Sequence, residues 1–340
     1  MKAGTRATTE NAVWAAVETA LREAPEEDLS WIRPLPPSDG WTLAPDALRF
    51  LSRLVPALSP RHVLEFGSGL STRTVARACG RLAGRRAISS VDHDPEFGSA
   101  AARAFAADPQ EAGVRVRFQI APVVARDCGG HLLPVYHWRP SAFASRRPAD
   151  LVLIDGPPVT LGGREGTLYQ AMDRARPGTL ALLDDTIRPE ERGAVARWRQ
   201  TLGDAVETRD LPGFSKGMAA VLIRRPVCRA ELWRHQRDLC MRGLGSALPA
   251  GAAYGLADDQ LWDDQPVATR RRLPFLGYPP ANDDEALFAL DRLRLDGGEF
   301  FVLFWASFWW RNQYPRFFER LERSFRRVAD NALMVVFDLR

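Results

Sequence analysis

Five carboxylates stand where this chain could do chemistry: Glu65, Asp92, Asp155 and the pair Asp184–Asp185. Each lies at or near the end of a short β-rich run, in "HVLEFG" (62–67), "AISSVD" (87–92), "ADLVLID" (149–155) and "TLALLDD" (179–185). In an open α/β sheet, ligands bind beyond the carboxyl ends of the strands, near the point where strand order reverses. The five acids therefore share one rim. Like charges gathered there are costly unless something cationic or polyhydroxylated sits among them. The first run passes directly into Gly67-Ser68-Gly69, a turn that lets a ligand approach the backbone, and Ser71 or Thr72 then caps the following helix.

Asp92 is placed to accept both hydroxyls of a ribose, which would suit a nicotinamide cofactor as well. Two features argue for a different ligand. Position 72 is threonine, so the third glycine of G-x-G-x-x-G is missing. Glu65 would repel a pyrophosphate and suits an ammonium group. S-adenosylmethionine carries an ammonium, a sulfonium and a ribose, and no phosphate.

Taken together, residues 62–225 resemble a class I S-adenosylmethionine-dependent methyltransferase. "VLEFGSG" is similar to the first motif of that family, "SSVDHDPEF" to its second-strand acid, "ADLVLIDGPP" to its fourth-strand motif and "RPGTLALLDDT" to its fifth. The resemblance implies that Glu65, Gly67 and Gly69 hold the methionine end of the cofactor, with Ser68 and Ser71 in the same turn. It puts Asp92 on the ribose with His93 beside it, and the region of Ala121 and Pro122 along the adenine. The spacing of Asp155, Asp184 and Asp185 is similar to that of magnesium-dependent O-methyltransferases, including sugar-modifying members. It implies a Mg2+ ion held by these three residues, which binds the acceptor oxygens and lowers the pKa of a bound hydroxyl. Capping of the next helix or hydrogen bonding to substrate is the other use of such an acid pair. Asp155, Asp184 and Lys216, from "GFSKGMAA", are the candidates for catalysis, whereas His131 and His137 read as surface-loop residues.

The elements that must position these groups alternate regularly from residue 62. Helix patterns at 71–79, 95–107, 165–175 and 189–202 separate the four runs above and a further one, "VRFQIAPV" (116–123); "AVETRDL" (205–211) and "MAAVLIRR" (218–225) follow with only a loop between them. This predicts an α/β fold: a Rossmann-like, doubly wound, seven-stranded sheet with an antiparallel edge hairpin, plus a second, smaller α/β domain. The expected boundaries are a helical cap over 1–60, a cofactor-binding domain over 61–226 and the small domain over 227–340. In the cap, helices are expected at 10–23 and 44–55, and "SWIRPLPPSDGWTL" (30–43) either closes over the acceptor or is a plain surface tether.

In the small domain, Asn282 or Asp283 caps a helix with Ala286, Leu287, Leu290 and Leu293 on one face. Residues 260–340 resemble segments of bacterial surface-glycan biosynthesis proteins, which implies a sugar or glycan intermediate as acceptor. The aromatic group Trp305, Phe308, Trp309, Trp310 and Tyr314 either stacks on a sugar ring or forms core. Asp258, Asp259, Asp263 and Asp264 either gather a metal or form a solvated acidic loop.

Composition narrows the remaining classes. With 340 residues, 46% hydrophobic and 26% charged, the chain is globular rather than disordered. The net charge of +4 comes from arginines scattered along the sequence, so nucleic acid is not an expected partner. Cys79, Cys128, Cys228 and Cys240 form no C-x-x-C pair, which argues against zinc and disulfides. The strongest apolar run, at 300–310, is short of the ~20 residues that span a bilayer, and a soluble, cytoplasmic protein is expected. Two other readings compete with a methyltransferase: an NAD(P)-dependent oxidoreductase, and a non-catalytic scaffold in glycan assembly.

Overall fold

The computed structural model describes residues 3–22, 29, 42–107, 113–129, 131–258, 269–276 and 279–340. The chain divides into two compact units, residues 1–128 with 132–228, and residues 129–131 with 229–340.

In the first unit, helices α1 (Ala3–Leu21) and α2 (Pro45–Leu58) precede the sheet. The alternation then runs β1 (His62–Phe66), α3 (Leu70–Gly80), β2 (Arg86–Asp92), α4 (Pro95–Ala107) and β3 (Val114–Ile120). A hairpin follows, β4 (Val123–Asp127) and β5 (Leu132–Tyr136). The alternation resumes with β6 (Leu151–Ile154), α5 (Glu165–Met172), β7 (Thr179–Asp184) and α6 (Pro189–Leu202), and closes with β8 (Val206–Leu211) and β9 (Met218–Ile223). The sheet order is β3-β2-β1-β6-β7-β9-β8. All pairings are parallel except those of β9, which runs antiparallel to both neighbours. This is the expected seven-stranded sheet with its antiparallel edge.

Burial explains the pattern of the strands. β1, β6, β7 and β9 are buried along their whole length, as strands covered on both faces must be, while the edge strands β3 and β8 are partly exposed. On one face, Val13, Trp14 and Val17 of α1, Leu51, Leu54 and Val55 of α2 and Val75 of α3 form one cluster with Val63, Ile88, Leu151 and Leu180. The order reverses at β1: β2 and β3 lie on one side and β6 and β7 on the other. Beyond the ends of β1 and β6 lies the switch crevice, so Glu65 and Asp155 flank the place where ligands bind in such sheets.

One strand expectation is corrected. The run expected over 116–123 ends at Ile120, and Val123 opens the separate β4–β5 hairpin. The turn from β3 into that hairpin is fixed by Ala121 N–H donating to the Asp92 carbonyl and His137 N–H donating to the Pro122 carbonyl.

The second unit contains α7 (Arg229–Ala247), β10 (Ala253–Ala257), β11 (Arg271–Arg272), α8 (Asp283–Leu295), β12 (Phe300–Phe304), α9 (Trp310–Gln313), α10 (Pro315–Ser324), β13 (Arg326–Asp330) and β14 (Met334–Asp338). Its five strands form a mixed sheet ordered β11-β10-β12-β14-β13. Successive residues of β12 alternate between two cores. Phe301 and Leu303 pack with Leu290 of α8 and Phe317 of α10, and Phe300, Val302 and Phe304 pack with Cys240 and Leu244 of α7.

Of the aromatic group, Trp305, Trp310 and Tyr314 lie within these cores, Phe308 packs against both, and Trp309 is 43% exposed. His131, which belongs to this unit, lies beside the Trp305 ring. Asp258 is buried and its carboxylate accepts from Arg272 Nη2 at 3.1 Å. The expectations for Asp259, Asp263 and Asp264 lie outside the described residues.

Asn282 is the cap of α8: its Oδ1 accepts the Glu285 N–H at 3.0 Å. Asn282→Ala is expected to cost about 1 kcal/mol, read as a lowered midpoint in urea with unchanged slope.

Candidate active site

The rim is built from the turn after β1. Gly67 has φ +94°, and a Cβ there would lie 2.8 Å from the carbonyl oxygen of Asp155, so the close approach of the two strand ends requires glycine. Gly67 N–H donates to the Val91 carbonyl and Asp155 N–H to the Phe66 carbonyl, both at 2.8 Å, which ties the turn to both neighbouring strands. At Gly69 a Cβ would meet only the Phe97 ring, at 3.9 Å. Helix α3 begins at Leu70, and the hydroxyl of Thr72 accepts the Gly69 N–H at 3.1 Å; Ser71 lies buried inside the first turn. The cap thus comes from Thr72, three residues beyond Gly69.

Glu65 is 1% exposed. Its Oε2 accepts from Thr72 Oγ1 at 2.5 Å and Ser90 Oγ at 2.7 Å, and Ser68 Oγ lies 2.8 Å from Ser90 Oγ. Oε1 is buried with no hydrogen-bond partner. Burial pushes the Glu65 carboxyl up to about 7, against the opposing effect of the neighbouring hydroxyls.

Asp92, 3% exposed, accepts the Ser68 N–H on Oδ2 at 2.7 Å and the Asp94 N–H on Oδ1 at 2.9 Å. Each oxygen keeps a second lone pair for a ligand. His93 is about a quarter exposed, with Nδ1 3.4 Å from Asp92 Oδ1. Ala121 is fully buried beneath this corner.

Asp155, Asp184 and Asp185 converge as expected, offering carboxylate oxygens within 4.8 Å of one another. Asp185 adopts φ 61°, a left-handed conformation that a side chain tolerates only where its surroundings hold it. A residue missed in the sequence holds it. Arg164, at the N-terminus of α5 and 6% exposed, donates from Nη2 to Asp185 Oδ2 at 2.7 Å and from Nη1 to the Asp184 carbonyl at 2.9 Å. The same Nη2 lies 3.0 Å from Asp155 Oδ1. Arg188 adds a contact to Asp185 Oδ2 at 3.0 Å, and Glu191, 1% exposed, lies 3.9 Å from Arg164 Nε.

Burial works against the charge on Arg164, yet the surrounding carboxylates overcome it and hold its pKa above the ordinary arginine value. Burial also raises the Asp155 carboxyl well above its usual range, opposed by Arg164, and lifts Asp184 to about 6, reinforced by Asp185. A divalent ion does not fit among these oxygens while Arg164 holds them. The only hint in the sequence was the surplus of acids, which calls for a cation without saying which one.

Lys216, the third candidate for catalysis, is engaged with the backbone. Its Nζ donates to the Thr42 carbonyl at 2.8 Å, which ties the loop before β9 to the N-terminal segment. Of the stretch read as an acceptor lid or a tether, residues 30–41 lie outside the described residues. His137 is exposed. A second residue missed in the sequence is Tyr136, 2% exposed, whose hydroxyl has no partner and whose ring stacks on Phe66 at 5.4 Å. The hydroxyl packs against Gly156, where a Cβ would lie 2.2 Å from it.

The family model of a methyltransferase domain matches residues 64–186. No curated relative matches the chain. Solved structures with a similar fold include the O-methyltransferase TomG from Streptomyces achromogenes, involved in tomaymycin synthesis and in complex with SAM, at 18% identity over 62% of this chain and 89% of that one, TM-score 0.40. The SAH-bound Podospora anserina methyltransferase PaMTH1 has 16% identity over 64% of this chain and 95% of that one, TM-score 0.40. A Bacillus cereus O-methyltransferase in complex with SAH has 17% identity over 64% of this chain and 90% of that one, TM-score 0.37. Among the described residues, no helix is long and apolar enough to cross a membrane. The reversal of strand order, the glycine turn and the rim of strand-end acids fall on the stretch, residues 64–186, that matches the methyltransferase-domain model.

Proposed function

We propose that the rim binds S-adenosylmethionine and that the enzyme transfers its methyl group to an oxygen of a small polar acceptor. The observation that carries this reading is Glu65 Oε1, a buried carboxylate oxygen without a partner beside a glycine turn. An ammonium group satisfies it and a pyrophosphate does not, which also separates this reading from a nicotinamide cofactor. Asp92 keeps lone pairs for the ribose hydroxyls, and the open face of Gly69 admits the ligand against the backbone. When bound, the cofactor supplies a methyl group on a sulfonium that leaves as a neutral thioether.

The chain's part in the transfer is orientation and removal of one proton. Asp155 would take the proton that the acceptor hydroxyl gives up as its oxygen receives the methyl group the bound cofactor supplies. Asp155 has the most open side chain of the three acids around Arg164, at 17%, which leaves its carboxylate the one an acceptor can reach. The resemblance of the C-terminal segment favours a sugar or glycan intermediate as acceptor, so a screen begins with nucleotide sugars.

Calorimetric titration with S-adenosylmethionine tests the cofactor. Micromolar-range binding is expected for the wild type and its loss for Asp92→Ala, which removes the ribose acceptor and the anchor of Ser68. Absence of wild-type binding, with magnesium present or chelated, would sink the reading.

A further inference from the structure

Three carboxylates at the ends of neighbouring strands form an oxygen cage of the kind a divalent ion uses. Magnesium requires a near-octahedral shell at about 2.0–2.1 Å from each oxygen. Here Arg164 Nη2 already stands 2.7 Å from Asp185 Oδ2 and 3.0 Å from Asp155 Oδ1, so an ion held by those atoms would meet a like charge at contact distance. The guanidinium is 5% exposed and is held at its other terminal nitrogen by the Asp184 carbonyl, so displacing it means unpacking the start of α5. Glu191, buried and without a hydrogen bond at either oxygen, faces its Nε. A planar, permanently charged fork matches such a ring of acceptors better than an ammonium would.

We propose that Arg164 is the resident cation of this site, standing where a divalent ion would otherwise sit, and that transfer at this rim needs no metal. Arg164 is then a positioning residue: it fixes the ends of β6 and β7 and holds Asp185 in its left-handed conformation. Activation of the acceptor falls to a carboxylate and not to a Lewis acid. That last consequence rests on the methyltransferase reading; the identity of the cation does not.

The test is Mn2+ titration followed by the free-ion electron paramagnetic resonance signal, with neither cofactor nor acceptor present. The wild type is expected to leave the signal undiminished. Arg164→Ala removes the guanidinium and leaves the carboxylates, so it is expected to take up one ion per chain, to lose that uptake again in Arg164→Ala/Asp155→Asn, and to gain thermal stability from Mn2+ that the wild type does not gain. Stoichiometric uptake by the wild type, abolished in Asp155→Asn, would overturn the proposal. A folded Arg164→Ala variant that takes up no Mn2+ would overturn it equally, and should that variant not fold, the wild-type titration decides alone. A failure of S-adenosylmethionine to bind would leave this result untouched, so the two readings fail separately.

Discussion

Glu65→Gln is expected to make the protein more stable at pH 8 while weakening S-adenosylmethionine binding by roughly 10- to 100-fold, the worth of a charge-assisted hydrogen bond. The stability half follows from linkage. The folded-state pKa of Glu65 is raised from 4.5 to about 7, so folding favours the protonated carboxyl. That contribution is fully present below pH 4.5 and is lost as the pH rises through 7, after which a buried charge persists at a cost of up to about 3 kcal/mol. Glutamine carries no charge and keeps an oxygen for the Thr72 and Ser90 hydroxyls. Its amide nitrogen replaces the unpartnered Oε1 and gives back about 1 kcal/mol. A net gain of about 1–2 kcal/mol at pH 8, shrinking towards zero at pH 5, should appear in denaturant unfolding at the two pH values.

The binding half has its own pH signature. An ammonium ligand selects the ionised carboxylate, so wild-type affinity should weaken about tenfold per unit as the pH falls below 7, a dependence absent from Glu65→Gln. A variant that is less stable at pH 8 and binds normally would show that Glu65 is structural.

The second large effect is expected at Gly156. An alanine there would put its Cβ 2.2 Å from the Tyr136 hydroxyl, while the next contacts, at 3.5 and 3.6 Å, are ordinary. Gly156→Ala should therefore cost about 3 kcal/mol, at the upper end for overpacking a core. Tyr136→Phe removes the obstructing oxygen. Because that hydroxyl is buried without a partner, its loss alone should be nearly neutral, and the double variant should return to within about 1 kcal/mol of the wild type. Unfolding of the four proteins in urea gives the coupling directly. Equal destabilisation by Gly156→Ala in the tyrosine and phenylalanine backgrounds would rule out the hydroxyl as the contact that matters.

The Gly156–Tyr136 pair also marks where reading along the chain stops. Gly156 follows a run of apolar residues and an acid, and its place at the end of β6 is evident from that alone. Tyr136 lies 20 residues earlier, on a strand that opens with the exposed Leu132 and contains Pro134. It lacks the continuous apolar run that identified the buried strands, so the β4–β5 hairpin was not seen. The strands of the main sheet were readable because burial on both faces forces an unbroken apolar pattern. Their acids were readable as a rim because parallel β/α order sends every strand end to the same side.

Lys216 and Arg164 show the complement. From the sequence, a lysine before the last strand could reach the pocket; in the fold its ammonium meets a backbone carbonyl 174 residues away. Arg164 sits in "GGREG", 20 residues before Asp184, with nothing local to connect the two. The aromatic residues of 305–314 suited a sugar platform or a core equally well in sequence, and packing between helix and sheet buried Trp305, Trp310 and Tyr314. Periodicity and chain order by themselves determined the architecture and the strand-end acids, since both act over a few residues at a time. Which charge neutralises which acid, and which ring faces water, was decided only in three dimensions, because burial makes an unpaired charge costly and the partner that relieves it is supplied by a distant part of the chain.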